Sequence, residues 1–109
     1  MVSKGIMIIY CDIDGVLCTQ DKDNPSIYRK AKPIEENIKK LNKLYDDGHS
    51  IILWTSRGTT STIDWEEFTK NQLDMWGVKY HKLKMGKPYY DIIIDDKSFI
   101  SVCDYEESK

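Results

Sequence analysis

The chain has 109 residues, enough for one domain (residues 1–109) and too few for two. Its formal net charge of −2 supplies no global basic field to attract nucleic acid or an anionic membrane, and neither is expected as a partner. A hydrophobic share of 40% beside a charged share of 31% is ordinary for a globular protein, and no apolar run approaches membrane-spanning length.

Ile6-Met7-Ile8-Ile9-Tyr10 opens the chain as a buried strand over roughly residues 5–12. The run is too short for a signal peptide. Asn24-Pro25 and its polar neighbours mark residues 18–32 as loop or a small hairpin. Pro33 suits the first turn of a helix. Ile34, Ile38, Leu41 and Leu44 or Tyr45 then recur at helical spacing until Asp47-Gly48. Ile51-Ile52-Leu53-Trp54 is a second strand. Ser61 or Thr62 can cap a second helix, whose apolar residues Trp65, Phe68, Leu73 and Trp76 fit helical spacing only loosely before Gly77 stops it. Val78–Leu83 reads as a third strand and Asp91–Asp95 as a fourth, and Asp104–Lys109 as a frayed tail. Strands alternating with helices predict a parallel sheet covered on both faces, with ligands beyond the carboxyl ends of its strands.

Cys11, Cys18 and Cys103 are odd in number and lack metal-type spacing, which predicts reduced thiols in a cytoplasmic protein. His49 and His81 fit no motif and read as solvated or locally bonded. Trp54, Trp65 and Trp76 read as core.

The chemistry concentrates at predicted strand ends. Asp12-Ile13-Asp14-Gly15-Val16 follows the first strand, and Asp95-Asp96 follows Ile92-Ile93-Ile94. Two carboxylates about 4 Å apart repel by about 4 kcal/mol at an effective dielectric of about 20. A divalent cation with oxygen ligands offsets such repulsion, so the two acidic strand ends predict one shared metal site. Thr55, Lys87 and Arg57 add a hydroxyl and two cations. Carboxylates, a cation, a lysine and an arginine together suit a dianion, and phosphoryl transfer is mainly positioning and electrostatics.

The order Asp-x-Asp-Gly-Val, apolar strand plus Thr, Gly86-Lys87-Pro88, then apolar strand plus Asp95-Asp96-Lys97 resembles the haloacid dehalogenase superfamily, over Ile6 to Lys97. It is similar to small capless phosphatases of that superfamily linked to capsule and sugar-phosphate metabolism. The resemblance implies a three-layer α/β/α Rossmann-like parallel sheet without a cap domain. It implies a phosphomonoesterase acting on a phosphorylated small molecule, such as a sugar phosphate. Asp12 would be the nucleophile, Asp14 the general acid and base, and Thr55 and Lys87 the groups that hold and neutralise the phosphoryl group. Mg2+ would bind Asp12, the Asp14 backbone carbonyl and Asp96 or Asp95. Trp54-Thr55-Ser56-Arg57-Gly58 resembles the Thr/Ser-x-Arg segment of polynucleotide 3′-phosphatase domains, where the arginine contacts substrate; this makes Ser56 and Arg57 substrate-binding candidates.

Residues 17–32 and 58–78 leave room for no more than a flap and one helix, so the site is expected to be open. A large substrate, or a neighbouring subunit in a homo-oligomer, could cover it. The alternatives are a nucleotide or polynucleotide 3′-phosphatase and, from another class, a phospho-acceptor signalling domain. The latter also combines acidic residues, Thr and Lys, but with the acidic pair first in the chain.

Overall fold

The computed structural model describes residues 5–21, 23, 24, 27–59, 63–99 and 102. Strand β1 (Ile8–Cys11) leads through a loop with a 3-10 turn (Tyr28–Lys30) into α1 (Glu35–Asp46). Then follow β2 (Ser50–Trp54), α2 (Glu66–Met75) and β3 (Lys82–Lys84). The strands form one parallel sheet in the order β1-β2-β3. Ile8 stands opposite Ser50 and Cys11 opposite Leu53, while Ile52 stands opposite Lys82 and Trp54 opposite Lys84. The chain is thus a small α/β fold with two helices.

The apolar periodicity produces one core. Cys11, Ile51 and Leu53 from the sheet, Ile38, Leu41 and Leu44 from α1, and Leu73 from α2 pack with Ile13, Leu17, Cys18 and Val78. Side chains alternate along a strand, so the neighbours of these residues point the other way. Ile8 and Tyr10 on that second row are exposed, and Ile52 and Trp54 are half-buried. Helix cover on both faces was expected; no residue of the second row is buried, and Trp54 lies on it rather than in the core. Trp65 and Trp76 are half-buried as well.

Helix α1 and strand β2 lie where the sequence predicts them. The third strand is shorter than Val78–Leu83. Val78 instead donates its N–H to Leu73 O at the end of α2, and Lys79 donates its N–H to Asn42 Oδ1. The predicted cap of α2, Ser61 or Thr62, falls outside the described residues, as do Pro25, Cys103 and the 104–109 tail. Asp64 Oδ1 accepts the Glu66 N–H at 2.9 Å there.

The fourth strand is the largest departure. Residues 91–95 form no strand, and Ile92 and Ile94 are 79% and 95% exposed. Without that segment, β1 is an edge of the sheet.

His49 and His81 serve the backbone. His49 is buried and its Nδ1 accepts the Met7 N–H at 3.1 Å; His81 Nδ1 accepts the Ile51 N–H at 3.0 Å and its ring stacks on Tyr45. Among the described residues no helix is long and apolar enough to cross a membrane.

Candidate active site

Asp12 is the first residue beyond β1 and Thr55 the first beyond β2, so the parallel sheet brings both to one edge. After Asp12 the chain turns tightly. Ile13 O accepts the Leu17 N–H at 2.8 Å, and Gly15, at φ +84°, donates its N–H to Cys18 O. A left-handed residue is required there, and glycine takes it without a Cβ penalty.

Lys87 reaches this edge through backbone bonds. Its N–H donates to Thr55 O at 2.9 Å, and its carbonyl accepts the Thr59 hydroxyl at 2.9 Å. Its Nζ lies 3.5 Å from Asp12 Oδ2, while Asp12 Oδ1 accepts the Ile13 N–H at 2.8 Å. Burial is the largest influence on Asp12 and raises its pKa, with the Lys87 ammonium and the Ile13 N–H opposing it. Burial also works against the Lys87 charge, but Tyr90 and Asp12 outweigh it and leave that pKa raised. The pair therefore offers a half-exposed carboxylate beside a held cation.

Thr55 is buried, and its Oγ1 accepts the Arg57 N–H at 3.1 Å. A hydroxyl that accepts still has its own proton to donate. Ser56 is half-buried next to it, and its carbonyl accepts the Thr59 N–H.

Arg57 is the centre of a buried polar network. Nε and Nη2 meet Asp14 Oδ2 and Oδ1, each at 2.9 Å, a two-pronged pairing. Nη1 donates to Thr69 Oγ1 at 3.1 Å and to Gln72 Oε1 at 2.8 Å. The guanidinium lies 4.5 Å from the centre of the Tyr28 ring, and Gln72 Nε2 donates to Tyr28 O at 2.9 Å. Burial works against the charge, and Asp14 more than offsets it, so the Arg57 pKa is raised. The side chain is fully buried, against 11% exposure for Asp14. An arginine so enclosed is neither a surface charge nor, in this arrangement, presented to a substrate phosphate.

Tyr28, Thr59, Thr69, Gln72 and Cys18 belong to this region, and sequence reasoning did not single out four of them. One signal was present: Thr69 and Gln72 are one turn apart on the face of α2 that carries buried Leu73. A polar pair on an apolar face has to have a buried partner. Cys18, like Cys11, packs in the core beside the motif. Both are buried and burial pushes both thiols up to about 12, so both are poor nucleophiles.

The second acidic pair does not join the first. Asp95 and Asp96 lie in an exposed turn where Asp95 Oδ1 accepts the Lys97 N–H, which holds the Asp95 carboxyl below its ordinary range. Among the described residues no three His, Cys, Asp or Glu side chains gather as cation ligands. With both Asp14 carboxylate oxygens on Arg57, the oxygens left to a cation at this edge are the Asp12 carboxylate and the Asp14 backbone carbonyl. The predicted union of the two acidic strand ends is not what this arrangement contains.

Beside Lys87 lies an aromatic patch on the uncovered sheet face. Tyr10 and Trp54 meet edge to face at 5.7 Å, Lys84 Nζ lies over both rings, and Lys87 Nζ lies 5.2 Å from the Tyr90 ring centre. A concavity of about 950 Å3 between α1 and the end of α2 shares none of these groups.

No protein-family model matches the chain, and no curated protein does. Among solved structures, the crystal structure of an MCSG target from Vibrio cholerae is similar in fold, with a TM-score of 0.72 and 24% sequence identity over 87% of this chain and 83% of that one. At this identity the likeness concerns the fold alone.

Proposed function

We propose that the protein is a phosphomonoesterase of the haloacid dehalogenase type, acting on a phosphorylated small metabolite such as a sugar phosphate. The observation that carries this reading is the Asp12–Lys87 pair at the carboxyl edge of a parallel sheet, with the Thr55 hydroxyl on the adjacent strand end. A carboxylate alone repels a phosphate dianion. A lysine 3.5 Å away reduces that repulsion without removing the nucleophile.

In this reading an Asp12 oxygen attacks phosphorus as the bond to the leaving oxygen breaks. Asp14, having taken a proton from solvent on its outward side before this step, gives it to the leaving alkoxide. Water then attacks the phosphorus of the aspartyl-phosphate, Asp14 takes its proton, and inorganic phosphate departs with Asp12 restored. Lys87 and Thr55 hold charge that grows on the phosphoryl oxygens. Magnesium, where bound, would be held by Asp12, the Asp14 backbone carbonyl and Asp96 or Asp95 and would offset phosphate charge; the steps here are carried by the chain's own residues. Asp96 or Asp95 would join a magnesium site in this reading with Asp91–Asp95 added as a strand at the open edge of β1.

A second reading draws support from the Tyr10, Trp54 and Tyr90 rings with Lys84 and Lys87. Stacking rings beside cations suit a nucleobase, and hence a nucleotide or 3′-phosphorylated strand as substrate.

The test is a panel of sugar phosphates, nucleotides, a 3′-phosphorylated oligonucleotide and an aryl phosphate, assayed with magnesium and with excess chelator. Turnover is expected in the wild type and none in Asp12→Asn. Turnover undiminished by that substitution would overturn the reading, and full activity in chelator would remove magnesium from it.

A further inference from the structure

Arg57 was expected to grip the substrate phosphate; its surroundings give it another task. All three of its nitrogens are engaged by protein groups, on Asp14, Thr69 and Gln72, and its flat face is covered by Tyr28. We propose that Arg57 is a positioning residue, which fixes the Asp14 carboxylate for proton transfer and does not bind substrate. The inference rests on the phosphatase reading, since it assigns Arg57 a part in that same site.

The physical argument begins with Asp14 itself. Aspartate has two side-chain torsions, and the turn after β1 leaves its carboxylate free to rotate unless something holds it. Two parallel bonds from one rigid guanidinium fix both position and plane. A single bond from lysine fixes neither. Asp14 Oδ1 also accepts the Cys18 thiol at 3.4 Å, so Oδ2, which meets only Arg57 Nε, is the oxygen with a lone pair left for a proton.

The fork is itself held from three directions. Thr69 and Gln72 fix Nη1 from α2, Tyr28 covers the plane from the loop before α1, and Cys18 Sγ lies 3.8 Å from Nη2. Gln72 ties the same loop to α2 through Tyr28 O. Proton transfer needs its donor within a few tenths of an ångström of the productive place, and networks of this kind supply that precision.

The experiment measures kcat and KM of the full chain on β-glycerophosphate and para-nitrophenyl phosphate, for wild type, Arg57→Lys, Asp14→Asn and the double variant. Arg57→Lys is expected to lower kcat on β-glycerophosphate by about 100-fold, the scale of a displaced acid–base group. KM should move by less than about threefold, because no ground-state contact is lost. The double variant should be no slower than Asp14→Asn.

A large rise in KM with kcat kept, or a double variant slower by the product of the two single losses, would overturn the proposal and return Arg57 to substrate binding. Asp12→Asn run alongside separates the two claims: activity undiminished in that variant sinks the phosphatase reading itself. If Arg57→Lys does not fold, Thr69→Val loosens only Nη1 and should give the same kcat-only pattern at smaller size, with a KM-only pattern contradicting it. Thermal unfolding of the same cycle reads the pair without turnover. The double variant should melt no lower than Arg57→Lys, and additive losses would contradict the pairing.

Discussion

Burial decides what each titratable residue around β1 can do. Cys11 and Cys18 are shut in the core, where a thiolate has no solvation. Their pKa values rise from 9.0 to about 12. The sign of the linkage follows. An unfolded chain loses these protons near pH 9 and the folded chain near 12, so stability is full below 9 and falls as pH rises between the two. Cys18→Ala should reduce this alkaline decline in thermal stability, and a decline as steep as in the wild type would contradict the burial account. Asp12 differs because it stands at the edge, half-exposed, with Lys87 to hold its charge. Its place at a strand end was legible in the sequence, since an apolar run followed by Asp and Gly has few alternatives. The place of Arg57 was not. Its partners lie 43, 12 and 15 residues away, and no local pattern announces a bond to Asp14, Thr69 or Gln72.

The secondary-structure elements were legible where two signals agreed. Helix α1 has both its period and its terminating Gly48, at φ +100°. Strand β2 has its apolar run and a paired strand on each side in the sheet. The run Ile92-Ile93-Ile94 has only hydrophobicity, which says that burial is favourable and not that a partner is in place. This difference can be measured. Ile94→Asp should change stability by no more than about 0.5 kcal/mol, as exposed substitutions do. Leu53→Ala, in the centre of the core, should cost about 2–5 kcal/mol. A loss at Ile94 comparable to that at Leu53, read by denaturant or thermal unfolding, would mean that residues 91–95 are a buried strand after all. Helix α2 had a blurred apolar pattern for a physical reason: part of its inward face is polar and serves Arg57.

At the scale of the whole molecule, one apolar core supports a sheet whose carboxyl edge collects Asp12, Thr55 and Lys87, with Asp14 fixed just behind. The uncovered Tyr10 and Trp54 rings lie on the sheet face beside this edge, Trp54 within 5.8 Å of Lys87 Nζ. The central claim is that Asp12 accepts the phosphoryl group covalently. It is tested most directly by quenching the protein in acid during turnover of an aryl phosphate and mapping protein-bound phosphate by peptide mass. The account predicts one phosphoryl group on Asp12, absent from Asp12→Asn. Phosphate on another residue, or steady turnover with Asp12 never labelled, would contradict it.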